Sequence, residues 1–328
     1  MRIFITGASG FIGGAIAQAM ASEHEVLAMS RSDKSDQRVV ELGAQPVRCD
    51  LATLASGDIP DCDAVIHCAA FVESWGTREM TWQINVEGTQ RTLKAAQAAG
   101  ARRFLHMSTE AVLWCGQDLV DVSEDHPYPE RTPYLYSETK AEAERLVLAA
   151  NRSDGMETVV LRPRFVWGPG DQTLAPEIKA MVEKGAFMWI DGGRARTSTT
   201  HIDNLVHGAK LVLQRGTGGE AYFVTDGEVR SFREFLPELM NAYGVELGDR
   251  SMPSAIARPV AILIEGVWRT LRLASTPPLT RHAIDLMCCD CTLKIDKIEG
   301  ELGYQPVVPV ATGLRQLKEL VAHQGAPG

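Results

Sequence analysis

A glycine-rich turn near the start of the chain limits the possible folds more than any other feature. The segment TGASGFIGG, residues 6–14, follows the strand pattern RIFIT and opens a helical pattern. Gly7, Gly10 and Gly13 are spaced three residues apart in it. Glycine allows a tight strand-to-helix turn and lets a pyrophosphate approach the backbone at the positive N-terminus of the helix. We therefore predict a dinucleotide-binding turn here, rather than an ordinary glycine-rich loop.

Strand and helix patterns alternate through the first half of the chain. Strands are predicted at RIFITGA, HEVLAMSR, PVRCDL, AVIHCAA, RRFLHMST and ETVVLRPRFV, with helical patterns between most of them. Such alternation predicts right-handed crossovers and an α/β fold with a doubly wound parallel sheet. After Gly168, clusters of proline and glycine replace the alternation. We predict a dinucleotide-binding domain over residues 1–165 with a later contribution from about 197–225, and a smaller lobe from 166–196 and 226–328.

Composition excludes several classes of protein. A chain of 328 residues, 45% hydrophobic and 23% charged, can bury a large core. The net charge of −9 argues against nucleic acid as a partner, because phosphates demand a surplus of Lys and Arg. The most apolar run, PVAILIEGVWRTLRLAS, is interrupted by Glu265 and predicts an amphipathic helix rather than a membrane span. No signal-peptide pattern precedes the first strand, so we expect a cytoplasmic protein.

The cysteines predict reduced thiols rather than a metal centre. Their number, seven, is odd, and they are scattered among strand-like segments, as in a cytosolic protein. Cys288 and Cys291 have CxxC spacing in the segment CCDC. A structural metal site needs a second pair of ligands, and none is placed to supply it. We therefore expect no metal.

The end of the second predicted strand bears on the choice of dinucleotide. An acidic side chain there would bind the ribose 2′-hydroxyl of NAD, whereas a basic one accommodates the 2′-phosphate of NADP. The segment LAMSRSDKS offers Ser30 and Arg31 first, and Asp33 only later. Arg31 favours NADP, with NAD possible, although it could equally be a solvated surface charge. Asp50, after the next short strand, would meet the adenine edge or simply start a turn.

A tyrosine and a lysine stand one turn apart where the chain becomes an Ala/Glu-rich helix. In RTPYLYSETKAEAERLVLAA, residues 131–150, Tyr136 precedes Lys140 by four positions, so the two share a helix face about 5 to 6 Å apart at Cβ. A free tyrosine titrates near pKa 10, and a neighbouring cation with an oxidised nicotinamide would favour the phenolate. The alternative is an exposed helix pair worth a few tenths of a kcal/mol.

The order of these segments resembles that of the extended short-chain dehydrogenase/reductase family over nearly the whole chain. The segments that match are the glycine motif, Asp50 with Leu51, the strand end HCAA, NVEGT from Asn85, Ser108 with Thr109, and Tyr136-x-x-x-Lys140. LRPRFVWGPGD and TSTTHIDNLVHGA are similar to the branch that contains 3β-hydroxysteroid dehydrogenases, sterol-4-carboxylate 3-dehydrogenases and bacterial 2-alkyl-3-oxoalkanoate reductases. The resemblance implies a Rossmann fold with a smaller C-terminal substrate-binding lobe.

The resemblance also implies four catalytic residues. Tyr136 would be the general acid/base that moves the proton of the alcohol or carbonyl, and Lys140 would lower its pKa and hold the nicotinamide ribose. Thr109 would donate to the substrate oxygen, with Ser108 as the alternative. Asn85 would position Lys140 through backbone and water, whereas the hydride belongs to the cofactor.

The same resemblance implies which residues bind the cofactor. They are Gly7, Ser9, Gly10, Phe11, Ile12, Gly13, Ser30, Arg31, Asp50, Leu51, Ala69, Ala70, Ser108, Tyr136, Lys140, Pro163, Phe165 and Val166. It further implies a homodimer, because relatives commonly pair the helices that carry Asn85 and Tyr136 with their twofold mates. The apolar patch for this pairing would contain Leu93, Ala96, Leu146 and Ala150, unless both helices turn their apolar sides only to the sheet.

The substrate class follows from a difference within the superfamily. Nucleotide-sugar epimerases and dehydratases usually carry an asparagine after LR that grips the diphosphate, whereas Phe165 stands near that position here. This favours an apolar substrate, such as a sterol or a long-chain 3-oxo acid, whose secondary alcohol and ketone are interconverted. Arg164 or Arg194 could hold a carboxylate or form a surface ion pair. The alternatives are a nucleotide-sugar epimerase or dehydratase and a non-catalytic dinucleotide-binding protein.

Overall fold

The computed structural model describes residues 1–72, 75–152, 155–271, 273 and 275–324. In chain order the first half contains β1 (Arg2–Thr6), α1 (Phe11–Ala21), β2 (Glu25–Ser30), α2 (Asp33–Glu41), β3 (Gln45–Arg48), β4 (Ala64–His67), α3 (Arg78–Trp82), a π-helical turn (Gln83–Glu87), α4 (Gly88–Ala98), β5 (Arg103–Met107), a 3-10 turn (Glu110–Leu113), β6 (Leu119–Val122), α5 (Leu135–Ala149) and β7 (Glu157–Pro163).

The second half is more irregular, with shorter strands. It contains β8 (Val166–Trp167), α6 (Leu174–Glu183), β9 (Trp189–Ile190), a 3-10 turn (Asp191–Gly193), β10 (Arg196–Ser198), β11 (Thr200–His201), α7 (Ile202–Arg215), β12 (Ala221–Val224), β13 (Val229–Ser231), α8 (Phe232–Ala242), β14 (Ser251–Met252), α9 (Ser254–Thr270), α10 (Arg281–Cys288), β15 (Cys291–Leu293), α11 (Asp296–Leu302) and α12 (Val310–Gln324).

Seven parallel strands form the central sheet in the order β12-β7-β5-β4-β1-β2-β3. The chain moves outward in one direction from β1 to β3 and in the other from β4 to β12, so the direction of winding reverses between β1 and β4. Ligands of such sheets bind in the crevice beyond the carboxyl ends of the strands at this reversal. The doubly wound parallel sheet predicted from the sequence is confirmed.

Apolar cores cover both faces of this sheet. Ile3 and Ile5 of β1 belong to one core and Phe4 to the other, because successive side chains of a strand point to opposite faces. All three are completely buried. The sheet is therefore held rigidly between its helices, and it fixes the positions of the loops at its carboxyl edge.

The glycine turn between β1 and α1 leaves no room for side chains at two positions. Gly7 has φ of +75°, and a Cβ on it would lie 2.8 Å from the backbone nitrogen of Ala69. A Cβ on Gly13 would lie 2.3 Å from the carbonyl oxygen of Gly7. The first and third glycines are thus required by close backbone approaches within the chain itself.

A second, four-stranded sheet has the order β13-β10-β15-β6. Its strand β6 comes from the first half of the chain and pairs in parallel with β15, close to the end. The backbone nitrogen of Asp121 donates to Oγ1 of Thr292 at 2.7 Å across 171 positions. Within the predicted later contribution, α7 packs on α1 and β7, and β12 closes one edge of the large sheet, whereas β10 belongs to the smaller sheet. The domain boundaries remain a prediction.

Among the described residues, no helix has the length and apolar character needed to cross a bilayer.

Candidate active site

Tyr136 and Lys140 lie in the first turns of α5, beside the carboxyl end of β5. The Lys140 ammonium is buried and donates to the carbonyl oxygen of Met107 at 2.7 Å. Burial lowers the pKa of Lys140 to about 8, although Glu144 and Cys68 act in the opposite direction. At neutral pH the side chain therefore still carries its charge in most molecules.

The Tyr136 phenol keeps its proton. Burial raises the pKa of Tyr136 above its ordinary value, the carboxylate of Glu110 raises it further, and a hydrogen bond with Thr109 lowers it. Burial, Glu110 and Thr109, rather than Lys140, set the pKa of the tyrosine in this structure. The sequence predicted that Lys140 lowers the pKa of Tyr136 when an oxidised nicotinamide is bound. This lowering stays a prediction.

Thr109 connects the tyrosine to a buried ion pair that sequence reasoning missed. Its hydroxyl donates to Oε2 of Glu110 at 2.7 Å. The other carboxylate oxygen of Glu110 pairs with the guanidinium of Arg164, whose Nε donates to Oγ1 of Thr197 at 2.9 Å. The only sequence signal for this arrangement is a charged residue, Glu110, placed directly after the strand end RRFLHMST.

Arg164 therefore has a different role from the two suggested by the sequence. It is 4% exposed and bound to Glu110, so its guanidinium is neither a surface group nor available to a substrate carboxylate. The ion pair is interior, where removal of one partner leaves an uncompensated charge. The other candidate, Arg194, is exposed at the end of the 3-10 turn Asp191–Gly193.

Ser108 is turned toward a different set of groups. Its hydroxyl donates to the carboxylate of Glu144, which also accepts from the Tyr128 hydroxyl at 2.5 Å and pairs with Arg162. Thr109, rather than Ser108, is thus the hydroxyl that is hydrogen-bonded to Tyr136, and its role as the substrate-oxygen donor stays a prediction. Ser108 takes part in a buried polar cluster behind the strand end.

Asn85 lies in the π-helical turn between α3 and α4. Its Oδ1 accepts from the backbone nitrogen of Phe71 at 2.7 Å, and its Nδ2 donates to the Phe71 carbonyl at 3.0 Å and to Oγ1 of Thr139 at 3.1 Å. Thr139 precedes Lys140 on α5. Asn85 therefore joins the loop after β4 to the helix of the tyrosine and the lysine, in a turn type that is frequent at functional sites.

A hydrogen-bonded chain that sequence reasoning also missed runs across the sheet beneath the glycine turn. Thr6 Oγ1 lies 2.7 Å from Nδ1 of His67, and Nε2 of His67 lies 2.9 Å from Oγ1 of Thr89. Thr6 Oγ1 also accepts from the backbone nitrogen of Ala69 at 3.1 Å. Burial, with the nearby Lys140 charge, lowers the pKa of His67 to about 3, so its ring is neutral. These hydrogen bonds fix the loop after β4, which lies against Gly7.

The residues predicted to choose the dinucleotide lie at the carboxyl end of β2. The Arg31 side chain is 72% exposed and its Nη1 lies 3.8 Å from Oδ2 of Asp50. Asp50 also accepts from the backbone nitrogen of Ala52 at 2.8 Å, as a turn-starting aspartate does. Asp33 pairs with Arg48 and is directed to solvent. Arg31 is therefore an exposed cationic side chain at the carboxyl end of β2.

The remaining residues predicted to bind the cofactor differ in burial. Ser9 and Gly10 are exposed at the start of α1, and Ala69 and Ala70 are half-buried after β4. Phe165 has φ of +47°, and its ring packs against Phe232 with centroids 5.4 Å apart. The others are half-buried or buried: Phe11, Ile12, Ser30, Leu51, Pro163 and Val166.

A cavity of about 580 Å³ opens beside the tyrosine. Its wall contains Tyr136, several apolar or aromatic side chains and three charged ones from α9 and α10. The lining includes Trp75, Met80, Tyr134, Leu135, Trp268, Leu273, His282, Glu265, Arg269 and Arg281. A polar concavity of about 610 Å³, lined by Glu124, Lys294 and Lys297 among others, contains none of the catalytic candidates.

The cysteines of the CCDC segment do not assemble as their spacing suggested. Cys288 and Cys289, rather than Cys291, lie with Asp285 so that their ligand atoms are within 4.8 Å of one another. Arg258 donates to Asp285 at 2.5 Å, and its Nη2 lies 3.3 Å from Sγ of Cys288. A guanidinium thus sits where a metal cation would have to bind.

Comparison with known proteins agrees with this geometry. A family model described as the 3-beta hydroxysteroid dehydrogenase/isomerase family matches residues 4–254. The chain belongs to this family. Membership in the 3-beta hydroxysteroid dehydrogenase/isomerase family confirms the resemblance to extended short-chain dehydrogenases/reductases, and the chain is therefore an oxidoreductase of that type.

Relatives in this family span nearly the whole chain. It is 40% identical, over 99% of its length and 98% of the relative, to the 4-hydroxy-2-methyl-3-oxo-4-farnesyl-3,4-dihydroquinoline-1-oxide ketoreductase of Stigmatella aurantiaca. It is 33% identical, over 97% of its length and 98% of the relative, to the 2-alkyl-3-oxoalkanoate reductase of Stenotrophomonas maltophilia. A dTDP-glucose 4,6-dehydratase from Streptomyces venezuelae, solved with NAD and TYD bound, shares the fold with a TM-score of 0.76 at 24% identity, covering 98% and 97% of the two chains.

Proposed function

We propose that this family member is an NADP-dependent ketoreductase or dehydrogenase that interconverts a secondary alcohol and a ketone on an apolar substrate. The observation that carries the proposal is the placement of the Tyr136 phenol, hydrogen-bonded to Thr109, on the wall of a cavity about half of whose lining residues are aromatic or aliphatic. Sterol-like ketones and 2-alkyl-3-oxo acids are the substrates that we propose, because relatives are named for such compounds.

The catalytic roles follow from the hydrogen bonds of the site. Thr109 and Tyr136 would both contact the substrate oxygen, and Tyr136 would give its proton to that oxygen during reduction. A bound nicotinamide dinucleotide supplies or accepts the hydride. Because burial and Glu110 hold the Tyr136 pKa high, the phenol is protonated at neutral pH. This state favours reduction of a ketone over oxidation of an alcohol.

The residues around the glycine turn fit a dinucleotide. The close backbone approaches of Gly7 and Gly13 hold the tight turn that would bring a pyrophosphate to the N-terminus of α1. The exposed guanidinium of Arg31 supports NADP rather than NAD. The cofactor-binding set given by the sequence is our proposal for the rest of the contact, with Lys140 beside the nicotinamide ribose.

We also propose a cytoplasmic homodimer formed through α4 and α5. The apolar patch expected on these helices needs correction, because Leu93 and Ala96 are buried against the sheet at 6% and 0% exposure. Leu146 and Ala150 are half-buried and pack against the same core. The interface would therefore depend on the outward residues of α5, including the exposed Ala149.

A cofactor-oxidation screen tests the function. Purified protein is mixed anaerobically with NADPH and, in turn, with sterol ketones, 2-alkyl-3-oxo acids and simple aldehydes, and absorbance of the reduced cofactor is followed. We expect turnover of an apolar ketone. Failure of all three classes, together with an increase in thermal stability on adding a UDP-sugar, would instead support a nucleotide-sugar epimerase or dehydratase.

The variant Tyr136→Phe tests the proposed mechanism. It should lower kcat by roughly a hundredfold or more and leave NADPH affinity nearly unchanged, since only the proton-transfer group is lost. Tyr243→Phe, which removes a phenol at the end of α8, is the matched control and should keep wild-type turnover. Wild-type kcat in Tyr136→Phe would exclude the mechanism.

A further inference from the structure

Two adjacent thiols, Cys288 and Cys289, lie together where α10 ends. Cys288 is the last residue of α10, and Cys289, with extended backbone, is the first residue after it. Their sulfur atoms and the Asp285 carboxylate lie within 4.8 Å of one another. Cys288 is half-buried, whereas Cys289 is buried, with its sulfur 3.4 Å from the Gly116 carbonyl oxygen. The pair therefore consists of one partly exposed thiol and one buried thiol.

Arg258 of α9 places a positive charge beside this pair. Its Nη2 lies 3.3 Å from Sγ of Cys288 and 3.8 Å from Sγ of Cys289. Its Nε donates to Asp285 at 2.5 Å, which offsets part of the charge. The Arg258 side chain is 43% exposed, so the site is open to solvent on this side. A thiolate formed at Cys288 would have a cation as its neighbour.

The two thiols differ in their tendency to lose a proton. The hydrogen bond with Cys289 and the charge of Arg258 lower the pKa of Cys288, although burial and Asp285 act in the opposite direction. The same hydrogen bond, with burial, raises the pKa of Cys289. Cys288 is therefore the nucleophile of the pair. Burial instead raises the pKa of four other cysteines: Cys49, Cys62, Cys68 and Cys291.

Asp285 connects the thiol pair to the tyrosine cavity. The Tyr134 hydroxyl donates to one carboxylate oxygen of Asp285, and Arg258 donates to the other. Tyr134 lines the cavity directly before α5 and stacks on Trp114 with ring centroids 4.7 Å apart. His282, which belongs to α10 as the Cys288 thiol does, lines the same cavity. A change at the end of α10 would therefore act on two side chains of the cavity wall.

We propose that Cys288 and Cys289 form a site of reversible oxidation by hydrogen peroxide, at which Cys288 reacts first and Cys289 then closes a disulfide. Peroxide-sensing cysteines combine a stabilised thiolate, partial exposure and a neighbouring resolving thiol, and all three are present here. The disulfide removes the thiol contacts of Arg258 and draws the end of α10 together, which alters the cavity wall. This effect on the cavity rests on the proposed function, whereas the oxidation does not.

The reaction takes two steps. The Cys288 thiolate attacks one oxygen of hydrogen peroxide, an S–O bond forms, the O–O bond breaks, and the departing hydroxide takes up a proton to become water. The Cys289 thiol then attacks the Cys288 sulfenic acid, an S–S bond forms, the S–O bond breaks, and the second oxygen leaves as water with the Cys289 proton. One peroxide is thus reduced while two thiols are oxidised. A disulfide between adjacent residues is strained, so thiols reduce it readily.

Mass spectrometry after peroxide treatment tests the site. Reductant-free protein is exposed to hydrogen peroxide, its free thiols are blocked with iodoacetamide, and the chain is cut on the amino side of aspartates. This cleavage separates Cys289 from Cys291 at Asp290, so that each possible disulfide gives a different product. We expect the peptide that holds Cys288 and Cys289 to lose two hydrogen atoms before other cysteines react, and to regain them with dithiothreitol.

Three variants separate the steps. Arg258→Gln should slow the oxidation of Cys288 about tenfold, because a smaller fraction of the thiol is ionised without the neighbouring cation. Cys289→Ser removes the resolving thiol, so oxidation of Cys288 should stop at the sulfenic acid, which dimedone traps. The control Cys115→Ser removes another half-buried thiol, and Cys288 should react in it as in the wild type.

The cavity provides a second readout. KM for an apolar ketone should rise in the oxidised wild type and return with dithiothreitol, whereas peroxide should leave KM of Cys288→Ser unchanged. The proposal would be overturned by the absence of the Cys288–Cys289 disulfide, by a disulfide of Cys291 with either thiol, or by wild-type oxidation rates in Arg258→Gln. An unchanged KM in the oxidised wild type would refute the effect on the cavity. Absence of turnover in untreated protein that still forms the disulfide would count against the proposed function alone.

Discussion

At the residue scale, the proposed chemistry of the site depends on a carboxylate that accepts a hydrogen bond from Thr109. Glu110 accepts a hydrogen bond from the Thr109 hydroxyl and raises the pKa of Tyr136. Glu110→Gln should therefore lower the pKa of Tyr136. Alcohol oxidation requires the phenolate, so its rate rises as pH passes through this pKa, and the midpoint of the rise should move to lower pH in the variant. A pH profile of kcat for oxidation measures the shift.

The control for this variant addresses the charge that it leaves behind. Glu110→Gln leaves Arg164 buried without its carboxylate partner, which costs about 3 to 5 kcal/mol of stability. The double variant with Arg164→Met removes both charges and should recover part of the melting temperature. A midpoint that stays at the wild-type pH in both variants would show that Glu110 does not act on the tyrosine.

We expect Arg31 to decide the proposed preference for NADPH. Arg31→Ala should reduce the preference for NADPH over NADH roughly tenfold or more, because a charge-assisted hydrogen bond contributes about 1.5 to 3 kcal/mol. Fluorescence titration of both cofactors gives the two dissociation constants. Arg38→Ala, which removes an exposed arginine of α2, is the control and should change neither. Equal affinity of the wild type for NADPH and NADH would contradict the assignment.

The order of the motifs was sufficient to predict Thr109, Tyr136 and Lys140 as site residues, because each follows a recognisable strand or opens a helix, and their roles stay a prediction. Glu110 and Arg164 could not be paired from the sequence, since they are 54 positions apart and meet only when β5 and β7 lie side by side. Leu93 and Ala96 show a second limit of prediction from sequence. Their apolar character is visible in the sequence, but whether it faces the sheet or a partner depends on the packing of α4.

At the element scale, the junction of β1 and α1 tolerates little change. Gly13→Ala should weaken NADPH binding and lower the free energy of unfolding by about 1 to 3 kcal/mol, because its Cβ would lie 2.3 Å from the Gly7 carbonyl oxygen. Cofactor titration and thermal melting measure both effects. Gly300→Ala, in α11 with open space around the new Cβ, should be neutral or slightly stabilising. Normal NADPH affinity in Gly13→Ala would refute the role given to the turn.

The segment WQINVEGTQRTL continues one helical pattern in the sequence, but the structure divides this region into α3, a π-helical turn and α4. Helical periodicity does not distinguish these, because apolar positions continue through all three. The division coincides with Asn85, which bonds to the backbone of Phe71 in the loop after β4. A contact between two distant segments is not visible in local sequence.

At the scale of the whole molecule, we expect two chains in solution. Light scattering at micromolar concentration should give about twice the 35.8 kDa mass of one chain. Ala149→Glu, on the exposed side of α5, should shift the mass toward one chain, because the interface would bury the new charge. Leu263→Glu is the control and should leave the dimer intact. A single-chain mass for the wild type, unchanged on adding NADPH, would exclude the homodimer.

The pairing of β6 with β15 affects how the chain matures during synthesis. At about 5 to 20 residues per second, a ribosome needs roughly 10 to 30 s to make the 171 positions that separate Asp121 from Thr292. Until then β6 has no partner strand, and its exposed edge is open to pairing with other nascent chains. The late strand lies between β6 and β10 and joins the two. We therefore expect that chains released before residue 291 aggregate or are degraded, even though every candidate catalytic residue has already been made.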